Sequence, residues 1–502
     1  MTARVLRFAL WALGGWYLAL FVILAAQHII WPFELEWMEG GMLDHVHRLL
    51  QGQALYAPPS LEFTAFSYAP LYFYCAAALS ALFGASFALL RAISAAACLG
   101  SLLLITVWVK QESGSRQAGF LAAVLYLACY PVSGAWYDLA RVDSLFLLLL
   151  LGGLYLQRCH GRTPAGAAAA ALLLAFAAFC KQTALVITLP VLAWHLWSTP
   201  GRRRWLLPLL YLVLVGGGYA LMQAASDGWC HYYLFYLPGQ HPPVWWRVHH
   251  FWIDYFFKPL PLATLLGAAL LLGGRLTLWQ RDRYWFFLAA GLFGGSWLAV
   301  VPSGAYHNAV MPAHAALAIL CGLLLGRAGK QRTWILAAAV AQLLLLLYAP
   351  GRYLPAPADR EAGQRLVQEL AAVPGAVWIP GQGYLAELAG KAGSAHRCAL
   401  DDVLRGGDEP GKRALQAEWA KAMNEGRYAV VITGAEGMAA DGKIAYRPGR
   451  RIFPQEAVCA AAPVSGRAWY RPGRKSSARD GCFFPLTGWQ TRPEWWYERR
   501  GE

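Results

Sequence analysis

Apolar runs of about 16 to 23 residues, parted by short polar connections, fill the first 350 positions of the chain. They fall at roughly 8–30, 88–109, 118–136, 139–157, 164–180, 183–198, 205–224, 259–274, 284–301, 309–326 and 333–349. A hydrocarbon core of about 30 Å asks for about 20 helical residues, so the pattern predicts about 11 transmembrane helices. Residues 69–84 (APLYFYCAAALSALFG) are apolar but short. Basic residues settle how they are read, because Lys and Arg gather in cytoplasmic connections. Arg4/Arg7, Lys110/Arg116, Arg158/Arg162, Arg202–Arg204, Arg275/Arg281/Arg283 and Arg327/Lys330/Arg332 occupy every second connection. Were 69–84 a span, all but the first of these groups would move outside. The segment therefore reads as a juxtamembrane or re-entrant helix on the outer face, with the N-terminus inside and the first loop (31–87) outside.

Beyond position 350 the pattern changes. Residues 359–372 and 413–424 have helical periodicity, 376–380 and 428–433 read as strands, and the end (WQTRPEWWYERR) is aromatic and basic. The chain divides into a transmembrane region, 1–349, and a small extracytoplasmic α/β domain, 350–502.

Composition agrees. Hydrophobic residues make up 58% and charged residues 14% of 502 positions, a balance of polytopic membrane proteins. The 23 Trp and 24 Tyr suit interfacial aromatic belts. The net charge of +15 follows from the cytoplasmic loops and calls for no nucleic acid. Arg4 and Arg7 before the first run resemble a signal peptide, but the run is long and spans follow it, so it reads as an uncleaved anchor. Most Cys lie singly in spans as packing residues; Cys398, Cys459 and Cys482 fall in the tail, where export would permit one disulfide.

Directly after the first span comes WPFELEWMEGGMLDHVHRLLQG, with Glu34, Glu36, Glu39 and Asp44. Carboxylates held against a membrane lose solvation and are kept there for a function. Glu39 precedes Gly40-Gly41, which allow close approach of backbone or substrate. Glu34 and Glu36 read equally well as solvated interfacial acids, and Asp44 as a partner of Arg48 four residues on. Other polar groups fall in the remaining outer connections: Tyr68; Asp138, Arg141 and Asp143 in WYDLARVDS; Lys181 in FCKQTAL; and Tyr306, His307 and Asn308 in SGAYHN. Arg141 and Asp143 also read as an internal ion pair, and Lys181 as a snorkelling side chain. No Cys/His metal spacing occurs, although the first-loop acids leave a divalent metal open.

Acids in the first outer loop and cations at neighbouring helix ends suit glycosyl transfer from a lipid-phosphate-linked sugar. A carboxylate takes the acceptor's proton, and Arg or Lys stabilises the departing phosphate. The order of motifs then becomes familiar. The acidic loop, LLQGQALY, Y-x-P-L-Y-F-Y, Phe-Gly before an Arg-led span, ARVD, KQT and HNAVMPAH together resemble the GT-C glycosyltransferases over about 8–349. The branch is family 39-like, related to protein O-mannosyltransferases and lipid A aminoarabinose transferases. The resemblance implies an Asp-Glu pair in the first loop; here that pair is Met38-Glu39, so the Asp is absent. It leaves Glu39 as the catalytic base, with Glu36 and Asp44 as rivals. Asp138 and Asp143 would shape the sugar and acceptor site, and Arg141 and Lys181 would hold the donor phosphate. The implied protein is an inverting glycosyltransferase of the bacterial inner membrane, using a polyprenyl-phosphate sugar and a lipid, glycan or protein acceptor among membrane lipids. A lipid-linked-sugar flippase or transporter, and an O-antigen ligase or polymerase, are the alternatives. The first expects mid-membrane charges and broken helices.

Overall fold

The computed structural model describes residues 2–273, 283–328, 332–434, 446–452, 483–489 and 491–499. Arg275, Arg281, Lys330, Cys459 and Cys482 lie outside the described residues. The described chain is mostly helical, with a four-stranded sheet. It forms two compact units, each assembled from distant pieces of sequence. One comprises 1–26, 92–221 and 242–350; the other comprises 27–91, 222–241 and 351–502.

Every apolar run contains a helix. Thr2–Ile29, Phe87–Ser113, Asp143–His160, Pro164–Cys180, Thr183–Ser198, Leu206–Ala225, Pro261–Gly273, Tyr284–Val300, Met311–Arg327 and Arg332–Leu345 lie close to the predicted bounds. The run at 118–136 differs, because its helix, Arg116–Ala128, stops early. Pro131 cannot donate to a continuing helix, and Gly134 and Ala135 take positive φ (74° and 59°). The resulting irregular stretch carries Asp138 and Arg141. Among the described residues, Thr2–Ile29, Phe87–Ser113, Arg202–Ala225 and His307–Arg327 are long and apolar enough to cross a membrane. The number rises to six if two bent helix pairs each count once. One such pair, Arg247–Phe257 with Pro261–Leu272, turns by 103°.

In the larger membrane unit, small residues permit close helix packing, as expected where lipid tails remove the hydrophobic drive between helices. A Cβ added at Gly119 would lie 2.3 Å from the Thr106 carbonyl oxygen, at Gly291 2.4 Å from that of Ile187, and at Gly322 2.7 Å from that of Ala118. Met311–Arg327 is buried along most of its length. Thr163 starts the Pro164–Cys180 helix by accepting from the Gly166 N–H, with Pro164 in the first turn.

In the other unit, β1 (Val377–Trp378), β2 (Val430–Thr433), β3 (Tyr446–Arg451) and β4 (Trp495–Arg499) form a sheet in the order β1-β2-β4-β3. The β1–β2 pairing is parallel and the other two are antiparallel. Helices Pro357–Ala372, Arg397–Arg405 and Pro410–Asn424 accompany the sheet. Glu409 caps the last of these by accepting from Gly411 and Lys412 N–H groups. The first loop belongs to this unit. Its helices Glu39–Leu50 and Leu71–Phe83 pack together, and Gly84 at φ 82° ends the second. Leu71–Phe83 has 13 residues, giving a length of about 20 Å at helical rise, short of a hydrocarbon core of about 30 Å.

Candidate functional site

In the unit that contains the first loop, the acids surround an arginine. Glu39 opens its helix fully buried, and its Oε1 and Oε2 accept from Arg91 Nε at 3.0 Å and Nη2 at 2.6 Å. Both side chains are 0% exposed. Oε2 also accepts from the Leu35 N–H at 2.7 Å. Arg91 completes its set by donating to the carbonyls of His28, Trp31 and Phe33 at 2.6–2.8 Å. This fork of donors fixes the exit from the first helix, and the bidentate pair orients Glu39.

The glycines admit protein groups. A Cβ on Gly40 would fall 2.4 Å from Tyr384 Cδ1 and 2.5 Å from Glu34 Oε1; on Gly41 it would meet Phe66 Cζ at 2.3 Å. Glu34 Oε1 accepts from the Gly40 N–H at 2.9 Å, and the Glu34 N–H donates to Tyr384 Oη at 3.3 Å. Glu34 is half-buried and Glu36 fully buried, so neither is a freely solvated interfacial acid. Burial, then the charges of Glu39, Glu36 and Asp44, pushes the Glu34 carboxyl well above its usual range, against the Gly40 N–H.

Asp44 makes no pair with Arg48, which turns to the Ala54 carbonyl and Gln53 Oε1. Both Asp44 oxygens are buried and, among the described residues, have no hydrogen-bond partner. Burial and the nearby Glu387 charge raise its pKa well above the usual value; Glu387 itself accepts from His47 Nδ1 at 2.7 Å. His45 is the opposite case. It stacks between Phe66 and Phe73, donates from Nδ1 to the Gly41 carbonyl and accepts from the Phe66 N–H at Nε2. Burial pushes it down to about 3, which fixes a neutral ring and its tautomer. Tyr68 takes part in this loop through its carbonyl, which accepts from Tyr56 Oη.

A second constellation lies in the membrane unit. Asp143, buried at the start of its helix, accepts at Oδ1 from Lys181 Nζ at 2.5 Å and Asn308 Nδ2 at 3.0 Å. Arg141 lies within electrostatic reach of the same carboxylate and stands 5.5 Å from the Trp136 ring centroid. Two cations and one carboxylate leave this cradle one net positive charge. Gly134 lets the loop approach its neighbour, since a Cβ there would meet His307 Cβ at 3.0 Å. Tyr306 packs on Trp136 and His307. Asp138, fully buried, accepts from Tyr130 Oη at 3.1 Å. Lys181 sits on a narrow groove whose other walls are Phe146, Ile187, Ala299, Ala309 and Pro312, with Thr183 and Ser296 as its polar points.

The structure thus brings Asp143, Lys181, Asn308 and Arg141 together in one unit. Glu34, Glu36, Glu39 and Asp44 share the loop of the other. Among the described residues no group of three or more His, Cys, Asp or Glu is placed to hold a metal ion. Sequence reasoning named no role for Arg91, although an isolated Arg in the apolar run FALLRAIS is a signal. It also passed over Tyr384, Gln382 and Asp359, whose surroundings in sequence are ordinary for a soluble fold.

Residues 67–223 match the family described as dolichyl-phosphate-mannose-protein mannosyltransferase. No curated protein matches the chain by sequence. Among solved structures, ArnT from Cupriavidus metallidurans in the apo state is similar, with a TM-score of 0.54 at 13% identity, over 84% of this chain and 93% of that one. The same protein bound to undecaprenyl phosphate gives 0.52 at 12%, with the same coverage. AglB, the oligosaccharyltransferase of Archaeoglobus fulgidus, in complex with an inhibitory peptide and a dolichol-phosphate gives 0.55 at 11%, over 96% of this chain and 88% of that one. At these identities the likeness is one of fold. This chain thus shares its fold with ArnT and AglB.

Proposed function

We propose that the protein is an inverting glycosyltransferase that moves a sugar from a polyprenyl-phosphate donor to an acceptor hydroxyl at the outer face of a bacterial inner membrane. The observation that carries the reading is the Lys181–Asp143–Asn308 cradle at an apolar groove. An isoprenoid phosphate needs this combination of an apolar channel and a headgroup site of net positive charge. The lipid phosphates bound by ArnT and AglB support it.

In the reaction the acceptor oxygen attacks the anomeric carbon as the bond from that carbon to the phosphate oxygen breaks. The acceptor proton passes to a carboxylate, and polyprenyl phosphate leaves with the electron pair. Lys181 and Arg141 offset the charge growing on the leaving phosphate. Asp143 and Asn308 hold Lys181 in place, and Tyr306 and His307 wall the loop behind it. Glu34, half-buried beside the Gly40 N–H and with its carboxyl raised by burial, takes the proton. Glu36 and Asp44 are its rivals. Glu39, gripped by Arg91, positions the loop that presents Glu34. In this reading 1–349 houses donor binding within about 11 spans, the N-terminus is cytoplasmic and 350–502 is extracytoplasmic.

Donor binding tests the proposal. Purified protein in nanodiscs should bind undecaprenyl phosphate, and Lys181→Ala should weaken that binding at least tenfold. Unchanged binding in the variant, or none in the wild type, would remove its basis.

A further inference from the structure

The unit built from the first loop and the tail holds a cleft that donor chemistry leaves unused. It is open to solvent, and together with the space at its mouth it comprises about 400 Å³. Trp31, Phe33, Phe483 and Phe484 supply aromatic walls, and Glu34, Asp359, Gln382, Tyr384 and Thr491 are its polar groups. Gly363 brings two of the rings together, since a Cβ there would fall 2.5 Å from Phe483 and 2.6 Å from Phe33. Asp359 Oδ1 accepts from the Phe483 N–H at 3.0 Å, fixing the ring-bearing segment.

Gln382 is the telling residue. It is 4% exposed. Its backbone is satisfied, with the N–H donating to Ile379 and the carbonyl accepting from Leu385. Among the described residues its side-chain amide has no hydrogen-bond partner, yet it lines the cleft. The side chain is nearly enclosed while its amide opens on the cleft, where the polar groups of a ligand can meet both of its ends. One donor and one acceptor side by side match two vicinal hydroxyls. The charged residues lining the cleft are both acids, which disfavours an anionic occupant. Pro355, Pro485 and Pro493 stand among the lining residues and carry no N–H, so these positions offer no edge for pairing an extended peptide.

We propose that this cleft is the acceptor subsite and that it takes a neutral sugar ring, its C–H face on the aromatic walls and its hydroxyls on Gln382, Asp359 and Glu34. The acceptor is then an uncharged glycan, whose hydroxyl is presented to Glu34. This rests on the glycosyltransferase reading above.

The test uses the full-length protein in nanodiscs, with cellobiose and N,N′-diacetylchitobiose as neutral probes, glucose 1-phosphate as an anionic probe and a Ser/Thr hexapeptide. Saturation-transfer NMR and tryptophan fluorescence read binding. The neutral disaccharides should bind, and Gln382→Leu should weaken them at least tenfold while undecaprenyl phosphate binding stays unchanged. Thr491→Val, also on the lining, provides a second variant should Gln382→Leu fail to fold; it should weaken the disaccharides several-fold. Preference for the peptide or the phosphorylated sugar overturns the inference, as does equal disaccharide binding by wild type and variants. Donor binding without disaccharide binding counts against this inference alone. Disaccharide binding without donor binding counts against the donor reading alone.

Discussion

Replacing Glu39 by Gln separates two roles for that residue. In the structure its carboxylate accepts two hydrogen bonds from Arg91, and both side chains are wholly buried. Gln keeps the shape but removes the charge, so a guanidinium is left buried with three carbonyl acceptors and no counter-ion. Breaking one partner of a buried pair costs about 3–5 kcal/mol. Arg91→Met should cost at least as much, because the His28, Trp31 and Phe33 carbonyls also lose their donor, at about 1–3 kcal/mol for each left unsatisfied. The double variant Glu39→Leu/Arg91→Met removes both charges together. It should therefore be less destabilised than the sum of the single variants, with a coupling of about 2 kcal/mol or more. Equilibrium unfolding of the detergent-solubilised protein, followed by tryptophan fluorescence, gives these numbers. Should Glu39→Gln unfold within about 0.5 kcal/mol of wild type yet lose all transfer, the anchoring argument fails and Glu39 is the base.

Gly40→Ala should destabilise by about 1–3 kcal/mol, since its Cβ would fall within 2.5 Å of Tyr384 and Glu34; a stability equal to wild type would show that the two side chains yield freely. Asp44 retains its proton to higher pH when folded than its ordinary 3.8. The folded protein thus binds more protons, and this contribution is full below about pH 4 and fades as pH rises through the raised value. Asp44→Asn should flatten that fall and stabilise the protein at pH 8, and unfolding curves of both forms across pH 4–8, at intervals of about one unit, check it. Gln53, exposed in the first loop, should as Cys react with a membrane-impermeant maleimide added outside intact cells. Labelling only after lysis would reverse the proposed orientation.

The positions of the helices were legible because apolar length is a local signal, and the first-loop acids stood out because charge beside a membrane is costly. The arrangement of those acids was not. Glu39 appeared as the freest candidate on the strength of two following glycines, yet Gly40 accommodates Glu34 and Tyr384, the latter 350 positions removed from Glu34. Arg91 was visible as a charge inside an apolar run, but its partner depends on how the loop folds back. The run at 118–136 kept an apolar average through Pro131 and Gly134, where backbone conformation overrules hydropathy. Asp143 and Lys181 were each noticed, and nothing within either local sequence tells that they pair.

The unit made from 27–91, 222–241 and 351–502 also imposes an order on biogenesis. Arg91 emerges from the ribosome soon after Glu39, so that ion pair is available early. Tyr384 follows Glu34 by 350 positions, which is roughly 20–70 s of synthesis at about 5–20 residues per second. Throughout that interval the Glu34 side of the loop lacks its partner, with its aromatic neighbours uncovered. Nascent chains stalled before position 384 should accordingly be prime substrates for membrane quality control, and completion of the tail would mark the moment of their release.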